Sequence, residues 1–127
     1  MILIDTSLLI DYFRGKDSTL NYLIESENLA ICGIILAELL HGINSENEKL
    51  LICDAIADFE WISIDDGIWN SVGNNLNLLR KNGLNIPFQD AILSTLCIEK
   101  NLRIATKDKH FKEISNILPK LQVYPEA

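Results

Sequence analysis

The sequence predicts an α/β fold: one domain built on a mostly parallel five-stranded sheet flanked by helices. Three observations lead there. Short apolar runs alternate with longer helix-length segments along the whole chain, without repeats or low-complexity tracts. Apolar residues make up 48% of the 127, with only 6 Gly and 3 Pro, which favours a packed core over disorder. That length fits one domain and leaves no room for a second.

The strand candidates are residues 2–4, 29–32, 61–64, 102–106 and 121–124, each short, apolar and separated from the next by helix-length sequence. The first helix opens at Thr6 or Ser7 and ends near Arg14-Gly15, where a glycine suits a helix C-terminus. Another opens at Asp65 or Asp66 and closes at Gly83. In it Ile68, Val72, Leu76 and Leu79 recur at steps of four, four and three and line one face for burial. A third starts around Pro87, placed just inside its first turn, where the missing donor costs nothing. Its run Ala91-Ile92-Leu93 and Leu96-Cys97-Ile98 is apolar on most sides, as in a helix buried between other elements. Asp108 precedes a last helix containing Phe111 and Ile114.

Several function classes are disfavoured. The longest apolar run, residues 29–37, is less than half of the roughly 20 residues that span a bilayer, and the N-terminus lacks the basic stretch of a secretory leader. The expectation is a cytoplasmic protein without a membrane partner. Cys32, Cys53 and Cys97 are odd in number, widely spaced and flanked by apolar residues, so they read as buried thiols and not as disulfides or a metal site. Two histidines are too few for a three-histidine zinc site. No dinucleotide glycine motif, phosphate loop or nucleophile elbow occurs. The net charge of −7 is unevenly spread. Residues 1–66 carry 3 Lys/Arg against 13 Asp/Glu, whereas residues 67–127 carry 8 against 5. The second half remains compatible with phosphate.

Four of the 18 acidic residues break the local pattern, because each sits in or directly ends an apolar run where a carboxylate is costly unless compensated. They are Asp5, Glu38, Asp90 and Asp108. Asp5 and Asp108 follow strands and so project at the carboxyl edge of a parallel sheet, where ligands of α/β folds collect. Glu38 and Asp90 are expected near helix starts, which lie at the same edge. Each acid alone has an ordinary explanation as a cap or an exposed helix residue; the four together point to an oxygen-rich site for Mg²⁺ or Mn²⁺.

At these residues the sequence resembles the PIN-domain ribonucleases and, among them, the VapC-type toxins of toxin–antitoxin pairs. The resemblance covers nearly all of residues 1–127, taken as one PIN domain. It rests on the order and spacing of Ile4-Asp5-Thr6-Ser7, Asp11-Tyr12-Phe13-Arg14-Gly15, Ala37-Glu38-Leu39-Leu40-His41-Gly42, Ile86-Pro87-Phe88-Gln89-Asp90-Ala91 and Thr106-Lys107-Asp108-Lys109-His110-Phe111. It implies a metal-dependent endoribonuclease, an RNA substrate, a cognate antitoxin and a homodimer, with Asp5, Glu38, Asp90 and Asp108 at the family's four acidic positions. Asp5, Asp90 and Asp108 are then expected to hold the principal metal, with Glu38 acting through water. Thr6 or Ser7, and Thr106, resemble hydroxyls that support the carboxylates, with helix capping as the alternative. One departure is that His110 stands where some relatives carry a further acid, which weakens the case for a second metal. The basic residues Arg80, Lys81, Lys107, Lys109 and Lys112 are candidates for phosphate contact, and Leu9, Tyr12 and Phe13 for a dimer surface.

Three other readings compete. A receiver-type signalling module also gathers carboxylates around Mg²⁺, but it needs adjacent acids after its first strand, and Asp5 stands alone. A non-catalytic PIN-like binding module is disfavoured by four intact acids. A housekeeping nuclease without an antitoxin differs only in its genetic neighbourhood.

Overall fold

The computed structural model describes residues 1–16 and 18–124; Asp17 and residues 125–127 lie outside the described residues. Five strands form one sheet in the order β3-β2-β1-β4-β5: β1 (Ile2–Ile4), β2 (Leu29–Cys32), β3 (Glu60–Ile62), β4 (Arg103–Ala105) and β5 (Gln122–Tyr124). All four pairings are parallel, with Leu3 opposite Ala30 on one side and Ile104 on the other. The α/β expectation holds, and the sheet is wholly parallel.

Burial explains which strands the sequence placed well. The central strands β1 and β2 are buried at every position, as parallel strands covered on both faces must be. At the edge, Glu60 and Trp61 of β3 are exposed, and the strand lies one residue earlier than expected, without Ser63 and Ile64. Strands β4 and β5 are likewise shorter than the apolar runs that contain them.

Seven α-helices connect the strands among the described residues: α1 (Thr6–Phe13), α2 (Thr19–Ser26), α3 (Gly33–His41), α4 (Glu46–Ile56), α5 (Trp69–Lys81), α6 (Phe88–Glu99) and α7 (His110–Ile117). The helix expected from Asp65 or Asp66 begins as a short 3-10 turn, Asp66–Ile68, before α5. Its stop is as read: Gly83 adopts φ +82°, its N–H donates to Arg80 O at 3.0 Å and that of Leu84 to Leu79 O at 2.9 Å, a Schellman closure. Gly15 ends α1 in the same way, with φ +69°. Asn101 takes the left-handed position after α6 at φ 55°, tolerated because its short polar side chain suits that region. Pro87 sits one position before α6 rather than inside it. Its ψ of 144° is not helical, and its carbonyl accepts from the N–H groups of Asp90 and Ala91.

Helix α6 is buried at every residue from Asp90 to Cys97, and α5 and α7 pack beside it. Phe111, fully buried at the start of α7, joins that helix to the core. Phe111→Ala should therefore cost about 3–5 kcal/mol in urea unfolding, since the site is too enclosed to collapse around the lost ring. No helix among the described residues is long and apolar enough to cross a membrane. Of the cysteines, Cys32 and Cys97 are buried as expected, whereas Cys53 on α4 is only half-buried.

Candidate metal centre

The strand order reverses direction between β1 and β4, and in open parallel sheets the crevice at such a switch point, beyond the carboxyl ends of the strands, is where ligands bind. Asp5 leaves β1 there and Thr106 leaves β4 there, held together by the Asp5 N–H bonded to Ala105 O at 2.9 Å. Asp5 is buried, and its Oδ2 accepts from Ser7 Oγ at 2.9 Å and from Thr106 Oγ1 at 2.7 Å. Each hydroxyl has one proton, and both point at the same oxygen. Ser7 Oγ and Thr106 Oγ1 in turn accept from the backbone of Lys107 (3.1 Å) and Asp108 (2.9 Å). Two residues 99 apart thus hold one carboxylate in a fixed orientation, and among the described residues no donor reaches its Oδ1.

Of the alternatives Thr6 and Ser7, it is Ser7 that supports Asp5. Successive helical residues diverge by about 100°, so one of the two faces the carboxylate and the other does not. Thr6 Oγ1 is instead buried without a hydrogen-bond partner.

Asp90, the third residue of α6, is buried, and Asp108 is half-buried beyond β4. Between them lies a residue that the sequence reading treated only as a departure: His110 Nδ1 is 3.4 Å from Asp90 Oδ2 and 3.3 Å from Asp108 Oδ1, aligned as a hydrogen bond with neither. These three offer ligand atoms within 4.8 Å of one another. Asp108 Oδ1 also accepts the His110 N–H at 2.9 Å, which fixes the start of α7 against the site. The spacing Asp-x-His at a helix start was the available signal.

Glu38 falls in the second turn of α3, not at its start, and is exposed at the rim. Neither Glu38 nor Asp5 joins the close group, but both share the field of the site. Partial burial, then the charges of Asp5 and Asp90, push the Glu38 carboxyl above the ordinary range. Asp90 is pushed up as well, first by burial and then by Asp108 and Asp5, with His110 acting in the opposite direction. Burial and neighbouring charge raise the proton affinity of Glu38 and Asp90, and with Asp5 and Asp108 these carboxylates form a donor set that fits a hard divalent cation.

Other chemistries find no support at this edge. Burial pushes the thiols of Cys32 and Cys97 up, which leaves them protonated and inert at neutral pH. Among the candidate phosphate contacts, Lys107 is engaged by Asp11, Nζ to Oδ2 at 2.8 Å, while Arg80, Lys81, Lys109 and Lys112 are exposed.

The PIN domain family matches residues 2–117. Ribonuclease VapC1 of Methanocaldococcus jannaschii is 32% identical over 114 residues, covering 89% of this chain and 80% of that protein. The chain belongs to the PIN-domain family, in its VapC branch. Ribonuclease VapC11 of Mycobacterium tuberculosis is 26% identical over 92% of this VapC-family chain and 93% of its own. The fold is shared with the DNA-bound VapBC of Salmonella typhimurium at a TM-score of 0.83, with 18% identity over 96% of this chain and 95% of that one. It is shared also with VapBC2 of Rickettsia felis, bound to a fragment of its promoter, at a TM-score of 0.79 with 23% identity over 97% of each chain.

Proposed function

We propose that this protein is an Mg²⁺- or Mn²⁺-dependent endoribonuclease that hydrolyses RNA phosphodiesters in the cytoplasm as the toxin of a toxin–antitoxin pair. The observation that carries the reading is Asp5, buried at the switch point with one oxygen held by Ser7 and Thr106, and near enough to Asp90 for the two charges to act on each other, while Asp90 and Asp108 gather beside His110. A bound divalent cation activates water and offsets the negative charge that develops on the phosphoryl oxygens. In this reading Asp5, Asp90 and Asp108 hold that cation. Glu38, at the rim, orients the attacking water through its carboxylate. Exposed Lys109 and Lys112, on the side of the site where α7 begins, offset substrate phosphates.

The VapC names of the relatives and the VapBC composition of the structural neighbours support RNA as substrate and a small antitoxin as partner. A homodimer is what the same resemblance implies, and of the surface suggested by Leu9, Tyr12 and Phe13 only the last two remain partly exposed. Leu9 is fully buried in the core, and Tyr12 and Phe13 are half-buried, stacked edge to face at 5.5 Å.

The test is cleavage of RNA and of DNA of the same sequence by purified protein, with and without the product of the adjoining gene. RNA-restricted cleavage, suppressed by that product, is expected; RNA left intact with either ion present overturns the reading. Thr106→Val gives a finer check. It removes one donor to Asp5 and the acceptor of the Asp108 N–H, so metal affinity should fall about 10–100-fold, as losses of supporting hydrogen bonds around metal ligands do. Calorimetric titration with Mn²⁺ measures it.

A further inference from the structure

We propose that His110 Nδ1 is a protein ligand of the cation and makes this site prefer Mn²⁺ over Mg²⁺. The inference rests on the metal-site reading above and adds to it a residue and a selectivity.

Nδ1 is buried and has no hydrogen-bond partner, yet it lies 3.4 Å from one carboxylate oxygen and 3.3 Å from another. Three atoms able to act as ligands, Nδ1, Asp90 Oδ2 and Asp108 Oδ1, converge here. An octahedral cation with bonds of about 2.1 Å places neighbouring ligand atoms about 3.0 Å apart, within a few tenths of an ångström of both separations. The backbone that carries the ring is anchored: Asp108 Oδ1 accepts the His110 N–H, and Phe111, the next residue, is buried in the core. The ring is therefore presented to the site by a fixed helix start rather than by a loop.

The selectivity follows from donor chemistry. Carboxylates and water suit Mg²⁺, whereas an imidazole nitrogen adds little for Mg²⁺ and strengthens binding of first-row transition ions. An acid at position 110 would complete an all-oxygen set. Histidine there turns the same crevice toward Mn²⁺.

Pulsed electron paramagnetic resonance of Mn²⁺ bound to the full-length protein tests the contact directly. The wild type should show nitrogen modulation from a coordinated imidazole. That modulation should persist in His41→Ala, which alters the exposed histidine at the end of α3, and vanish in His110→Gln. By calorimetry, His110→Gln should weaken Mn²⁺ binding by about tenfold or more and Mg²⁺ binding less than about threefold, while His110→Asp should shift the ratio toward Mg²⁺. Mn²⁺ bound to the wild type without nitrogen modulation, but lost in Asp90→Asn, overturns the role of His110 and leaves the metal centre standing. Equal losses for both ions in His110→Gln overturn the selectivity. A wild type that binds no Mn²⁺ overturns both readings.

Discussion

Asp90→Asn should cleave RNA at least about 1,000-fold more slowly than the wild type, a loss on the order of 4 kcal/mol of transition-state stabilisation. The carboxylate lies in the first turn of a helix buried at every residue from Asp90 to Cys97. Asparagine keeps the shape and removes the charge. Stability without metal should move the other way. Burial and the charges of Asp108 and Asp5 disfavour ionised Asp90 in the folded protein, so the amide relieves a cost and the cation-free variant should melt at the same temperature or higher. Single-turnover cleavage with excess protein and thermal melts in EDTA check the two halves. Cleavage within about tenfold of wild type would remove Asp90 from the centre.

The residues that the sequence placed correctly are those whose burial leaves a periodic trace. Strands β1 and β2 are apolar at every position because helices cover both their faces, and Gly15 and Gly83 mark helix ends because only a left-handed residue makes those closures. Edge strand β3 leaves no such trace: Glu60 and Trp61 face solvent, so the apolar run does not set its register. Of the four acids picked out because a carboxylate inside an apolar run is costly, Asp5 and Asp90 are buried, whereas Asp108 is half-buried and Glu38 exposed. Their partners were less legible. Thr6 and Ser7 are equivalent in the sequence, and only the rotation of α1 selects Ser7. His110 reads as an ordinary polar residue at a helix start until the crossover from β3 to β4 brings α6 beside the loop that carries Asp108. The pairing of Asp11 with Lys107 joins α1 to that same loop, and nothing local to either residue foretells it.

Chelation should abolish cleavage, and readdition of Mn²⁺ or Mg²⁺ should restore it, because crowded carboxylates have no means of activating water without a cation. The same treatment should change how stability depends on pH. Asp90 and Glu38 both titrate above their ordinary values of 3.8 and 4.5 in the folded protein. A raised acid contributes stability that is fully present below the unfolded value and is lost as pH rises through the folded one. In EDTA the melting temperature should therefore decline as pH increases from about 4 toward neutrality. Saturating cation binds the ionised carboxylates and should oppose that decline. At 100 times its dissociation constant it contributes about 2.7 kcal/mol, enough to raise the melting temperature by on the order of 10 °C in a domain of this size. The difference between the two melting curves should be widest near neutral pH and shrink toward pH 4, where protons displace the metal. Curves that coincide across the whole range would mean that these carboxylates hold no cation, whatever else they do. The Asp90→Asn variant, with its charge already removed, should show the smaller separation throughout.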